Sequence, residues 1–73
     1  MRFRETISHG DFRNERVASA DDLDGFRREL THSPYPMAMD LSEGNAYVQA
    51  AWDGLSTSGR GYLGWATFER IDD

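Results

Sequence analysis

The sequence predicts an α+β domain: a single antiparallel sheet of four to five strands with one helix packed on one face, in the order β(β)αβββ. Three observations carry this. Arg2 to Ser8 alternates, with Phe3, Glu5 and Ile7 on one face and Arg2, Arg4, Thr6 and Ser8 on the other. Leu23, Phe26 and Leu30 recur at helical spacing. Asn45 to Glu69 carries Tyr47, Trp52, Tyr62 and Trp65 among Gly54, Gly59, Gly61 and Gly64, the mark of aromatic strands punctuated by turns.

The 73 residues suit one compact domain over 1–73. A chain of that size buries roughly 60% of its unfolded surface, and its core supplies about 3–5 kcal/mol. There is no cysteine to add a disulfide or a thiolate metal site, so a homodimer is expected beside a monomer. Absent cysteine also suits a reducing cytoplasm. MRFRETIS alternates instead of setting a charged head before an apolar run, so no signal peptide is expected. No apolar run approaches the ~18 residues of a membrane span.

The first strand, Arg2 to Ser8, turns at His9-Gly10-Asp11 and returns as Phe12 to Ala18. The second strand is polar from Arg13 to Arg16, which suits an edge. Ser19 to Asp22 starts the helix, with Ser19 as the expected cap on the Asp22 amide and acidic residues at the positive helix end. Asp24 and Arg28 are spaced for an ion pair, and Ser33-Pro34-Tyr35-Pro36 ends the helix. Met37 to Ser42 alternates as a third strand. Glu43-Gly44-Asn45 turns it, and Ala46 to Trp52 follows as a fourth. The loop GLSTSGRG leads into the last strand, Tyr62 to Ile71. On that strand Leu63, Trp65 and Thr67 share one face, and Tyr62, Gly64, Ala66 and Phe68 the other.

The net charge is −5, and none of the eight basic residues is lysine, which removes Schiff-base chemistry. No basic residue falls between Arg28 and Arg60, whereas Glu29, Asp40, Glu43 and Asp53 do. This acidic run repels nucleic acid and attracts basic surfaces. Arg60 to Phe68 partly echoes the ribonucleoprotein motif of RNA-binding sheets, but Leu63 stands where that motif needs a small residue. A strongly basic groove is also missing, so direct nucleic-acid contact is not expected.

Catalytic patterns fail on spacing. Gly54 to Gly59 misses the nucleophile elbow by one residue and precedes a strand. It lacks the Gly-Lys-[Ser/Thr] ending of a phosphate loop. His9 and His32 form no metal-binding pair, and Asp21, Asp22 and Asp24 do not match a calcium loop. Neither an enzyme, a cofactor nor a metal is expected.

In size, acidity, absent catalytic set and compact α+β plan, the chain resembles small phage-encoded inhibitors of the anti-CRISPR type. It also resembles bacterial toxin-immunity proteins, through Val17-Ala18-Ser19, the helix Asp22 to Leu30, Met37 to Leu41, Asn45 to Val48 and Gly61-Tyr62-Leu63. Either resemblance implies a non-enzymatic protein that docks on a basic surface of a protein or ribonucleoprotein effector and blocks its nucleic-acid site, its assembly or its toxicity. The acidic face would comprise Asp21, Asp22, Asp24, Glu29, Asp40, Glu43 and Asp53, with Tyr35, Tyr47, Trp52 and Arg60 as anchors. The alternative from another class is an RNA or single-stranded DNA binding module that uses the Arg60–Phe68 strand.

Overall fold

A computed structural model describes residues 1–33 and 46–71. Their order is β1 (Arg2–His9), β2 (Phe12–Ser19), α1 (Leu23–Leu30), α2 (Ala46–Ser58), β3 (Arg60–Leu63) and β4 (Ala66–Arg70). The strands form one antiparallel sheet in the order β2-β1-β4-β3. The α+β class and the single antiparallel sheet are as expected; a second helix among the described residues is not. The expected strand over Met37 to Ser42 lies outside the described residues.

The N-terminal hairpin forms where alternation and turn chemistry place it. His9 pairs with Phe12 across Gly10-Asp11, and the register runs to Arg2 opposite Ser19. Phe3, Glu5 and Ile7 are buried and face the helices. β2 is an edge strand, and of its residues only Ala18 is buried.

The helix α1 starts later than expected. Ser19 ends β2, and Asp22 is the cap: its Oδ1 accepts from the Gly25 amide at 2.8 Å. Asp24 pairs with Arg27, three residues on, rather than with Arg28. Phe26 and Leu30 carry the buried stripe, and Leu23 packs against its margin.

Ala46 to Trp52 and the segment from Gly54 to Ser58 are helix α2, where a strand and a loop are expected from the alternation. Val48, Ala51 and Leu55 are the buried residues, spaced three and four apart as on one helical face. Ala46, Val48, Ala50 and Trp52 match an alternating pattern as well, because alanine fits either side of an amphipathic segment. Three alanines in the first six residues favour the helix intrinsically.

The expected last strand is a hairpin. Leu63 pairs with Ala66 across Gly64-Trp65, and Gly64 has a φ of 57°. A two-residue turn whose first residue needs positive φ, followed by one that does not, is the II′ geometry that glycine permits. The turn also resets the alternation. Leu63 now shares the inner face with Gly61, Ala66 and Phe68, while Tyr62 and Thr67 share the outer one.

The core sits between the sheet's inner face and the two helices. Phe3, Phe26 and Phe68 meet edge to face, with ring centroids 5.0–5.9 Å apart. Each such pair adds about 0.5–1.5 kcal/mol beyond its buried area. Trp52 lies against Phe26 at 5.3 Å and joins α2 to α1.

One buried charge interrupts this apolar layer. Glu5 is 1% exposed, and Arg16, its partner across the β1–β2 ladder, donates from Nε to Oε1 at 2.7 Å. The same guanidinium donates from Nη1 to the Glu29 carboxylate at 3.3 Å and from Nη2 to the Glu29 carbonyl at 2.6 Å. Arg16 therefore clamps β1, β2 and the end of α1 together. Removing one member of a buried ion pair costs about 3–5 kcal/mol, whereas an apolar replacement of both is close to neutral.

Two stability predictions follow from this packing. In Gly61→Ala the new Cβ would collide with the Ala51 carbonyl oxygen, since α2 lies directly on β3 there. Overpacking of this kind should lower the unfolding free energy by about 1–3 kcal/mol in urea titration. Arg16→Ala should cost about 3 kcal/mol, and the double variant Glu5→Leu/Arg16→Met should recover most of that loss. A double variant no more stable than Arg16→Ala would show that the clamp is not the source.

Candidate functional site

The sheet register separates the charged side chains into two opposed faces. Cross-strand partners point to the same side, so the outer face follows from the pairings. One row reads Val17, Arg4, Glu69, Arg60 and the next Glu15, Thr6, Thr67, Tyr62. Arg2 opposite Ser19, and Arg13 opposite Ser8, extend the face at its two ends. Arg2, Arg4, Arg13 and Arg60 thus oppose Glu15 and Glu69, a surplus of two positive charges. Among the described residues, no helix packs on this side.

Glu69 holds the middle of the face. Its Oε1 accepts from Arg4 at 3.2 Å and its Oε2 from Arg60 at 2.6 Å. The Glu69 carboxylate, and after it Tyr62, push the Arg60 guanidinium above its ordinary pKa, so this cation stays charged at any working pH. Tyr62 is 63% exposed beside it. Trp65, at the β3–β4 turn, is 53% exposed and stacks on His9 with centroids 4.2 Å apart and planes 16° from parallel. A largely apolar cleft of about 300 Å³ runs along the β3 edge, lined by Tyr47, Tyr62, Leu63 and Gly64.

The helical side is acidic. Asp21, Asp22, Asp24, Glu29 and Asp53 face Arg27, Arg28 and Arg70, which pairs with inward-facing Phe3, a surplus of two negative charges. Asp21, Asp22 and Glu29 line one cleft of about 370 Å³ at the β2–α1 junction, with Gly25, Arg28 and His32. Asp21 and Asp22 are exposed at its mouth; Glu29 is half-buried through its tie to Arg16. Asp24 is exposed and paired with Arg27. Asp53, exposed on α2, accepts from Gln49 at 3.1 Å.

The proposed anchors scatter. Trp52 is half-buried against Phe26 and belongs to the core margin. Tyr47 is exposed at the start of α2 and borders the β3-edge cleft. Arg60 lies on the outer sheet face, across the sheet from the acidic helices. Tyr35, Asp40 and Glu43 lie outside the described residues. Composition alone did not single out Tyr62 and Trp65 as surface groups, because it cannot place a turn inside Tyr62 to Ile71. The Gly64 that makes the turn was the available signal.

Among the described residues no group of three histidine, cysteine, aspartate or glutamate side chains could hold a metal ion. No described helix is long and apolar enough to cross a membrane. No protein-family model, curated protein or solved structure matches the chain.

The two tryptophans should separate cleanly on truncation. Trp52→Ala should lower stability by roughly 2–4 kcal/mol, below the ~3–5 of a fully buried tryptophan. Trp65→Ala should stay within about 0.5 kcal/mol, as exposed substitutions do. Urea midpoints of the two variants check this, and equal losses would contradict the assignment of Trp52 to the core margin.

Proposed function

We propose that the chain is a small non-enzymatic inhibitor of the anti-CRISPR type. It acts in the bacterial cytoplasm by docking its acidic helical side on a basic, nucleic-acid-binding surface of an effector. The observation that carries this reading is the cleft at the β2–α1 junction, where Asp21, Asp22 and Glu29 converge. A cleft of that size takes a long basic side chain from a partner. The carboxylates at its mouth would steer the encounter and fix its register. The clamp of Arg16 on Glu29 and the Asp22 cap hold the cleft's walls in place before any partner arrives, which lowers the ordering cost of binding. Its resemblance to phage-encoded inhibitors and its acidity point the same way.

The test uses charge reversal that spares the helix cap. Expressed in bacteria carrying a CRISPR effector, the chain should restore plaque formation by a targeted phage. Asp21→Arg/Asp24→Arg should weaken that rescue at least about tenfold while thermal unfolding stays close to the parent, with Asp22 still capping α1. Undiminished rescue by the reversed variant, or no rescue against any effector type tried, would refute the reading.

A further inference from the structure

We propose that the outer face of the sheet is a second binding surface, and that its ligand is single-stranded nucleic acid. Read along the chain, the charge argues against this, since acidic residues predominate and no basic run occurs. Read across the sheet, the same residues sort by side. Alternation sends Arg2, Arg4 and Arg13 outward, and the β3–β4 hairpin brings Arg60 beside them. Half of the chain's eight arginines therefore share one face.

The face has the parts that an unpaired strand requires. Arg4 and Arg60 stand two strands apart, about 10 Å, with the Glu69 carboxylate between them fixing both guanidinium heads. Such heads suit phosphate oxygens. Tyr62, on the row next to them, presents an exposed ring, and Trp65 another at the adjoining turn. Bases of a single strand stack on such rings, whereas bases inside a duplex cannot reach them. The β3-edge cleft, flanked by Tyr62 and Tyr47, can receive one flat ring.

The acidic helices do not cancel this face. The molecule is 18 Å thick along its shortest axis, about two Debye lengths at physiological salt. The helical charges are therefore largely screened at the outer face. The favoured ligand is a strand rather than an acidic protein, because aromatic rings lie beside the guanidiniums on an open sheet.

Fluorescence anisotropy with labelled oligo(dT) and oligo(rU) tests the proposal, with heparin as a polyanion lacking bases. Both oligonucleotides should bind at about 0.1 M salt, where the helical charges are screened, and more weakly as salt rises. With four arginines on the face, the slope of log affinity against log salt should be no steeper than about −2.8, at roughly −0.7 per phosphate for single strands. Tyr62→Ala should weaken binding about tenfold, and Tyr62→Phe should retain it. Arg4→Gln/Arg60→Gln should flatten the salt slope by about 1.4. Asp21→Arg, on the opposite side, should not weaken binding. Circular dichroism confirms that each variant is folded. Three results would each overturn the proposal: absence of binding at about 0.1 M salt, binding indifferent to Tyr62→Ala in a folded protein, or heparin bound as tightly as oligonucleotide.

Discussion

Arg16 is the residue on which the rest of this small fold depends. It sits on the edge strand β2, points inward, and donates to one oxygen of a buried carboxylate on β1 and to the C-terminal end of α1 together. Edge strands slip easily when their faces are weakly patterned, and a slip of one residue turns every side chain over. In β2 the apolar pattern is weak, with Ala18 its only buried residue. A slipped register would leave Glu5 buried opposite no cation, a cost far larger than the modest net gain of the pair itself. The ion pair thus matters for register more than for bulk stability. Glu5 Oε2 has no hydrogen-bond partner among the described residues, which makes the loss of Arg16 costlier still.

Register then decides surface chemistry. With Glu5 held inward, Arg2, Arg4, Thr6 and Ser8 must face out, and the β1–β4 pairing carries the same parity to Glu69 and Thr67. The β3–β4 turn completes the face by adding Arg60 and Tyr62. A chain of net charge −5 thereby presents one side with a positive surplus and another with a negative one. The close seating of α2 on β3 at Gly61 keeps the helical layer on the inner side of the sheet. Both proposed surfaces follow from these two constraints: an acidic side for a basic protein, and a basic aromatic side for a single strand.

The N-terminal half was legible because its signals are unambiguous. Strict alternation from Arg2 to Ser8, a glycine turn and a period of three to four in Leu23, Phe26 and Leu30 each admit one reading. Glu5 shares the alternating face of Phe3 and Ile7, but its burial and its pairing with Arg16 are set by the β1–β2 register. The C-terminal half misled for a physical reason. Alanine-rich segments satisfy strand and helix periods equally, so Ala46 to Trp52 was open to either, and packing of Val48, Ala51 and Leu55 against β3 and β4 settled it. The hidden turn at Gly64-Trp65 broke the expected alternation, so that Leu63 shares the core face with Ala66 and Phe68. For the site, Asp21, Asp22 and Glu29 belong to the expected acidic face, but their meeting in one cleft depends on how α1 packs at the end of β2. The outer basic face was not legible, because charge was summed along the chain while the sheet sorts it by alternate positions.

The most direct measurement is hydroxyl-radical footprinting with residue-level mass spectrometry on the folded protein, because it reads which side of each strand meets solvent. Tyr62 and Trp65 should oxidise rapidly, Trp52 more slowly, and Phe3, Phe26 and Phe68 only once the protein unfolds. Protection of Tyr62 equal to that of Phe68, or oxidation of Phe68 at the rate of Tyr62, would contradict the register from which both surfaces are derived.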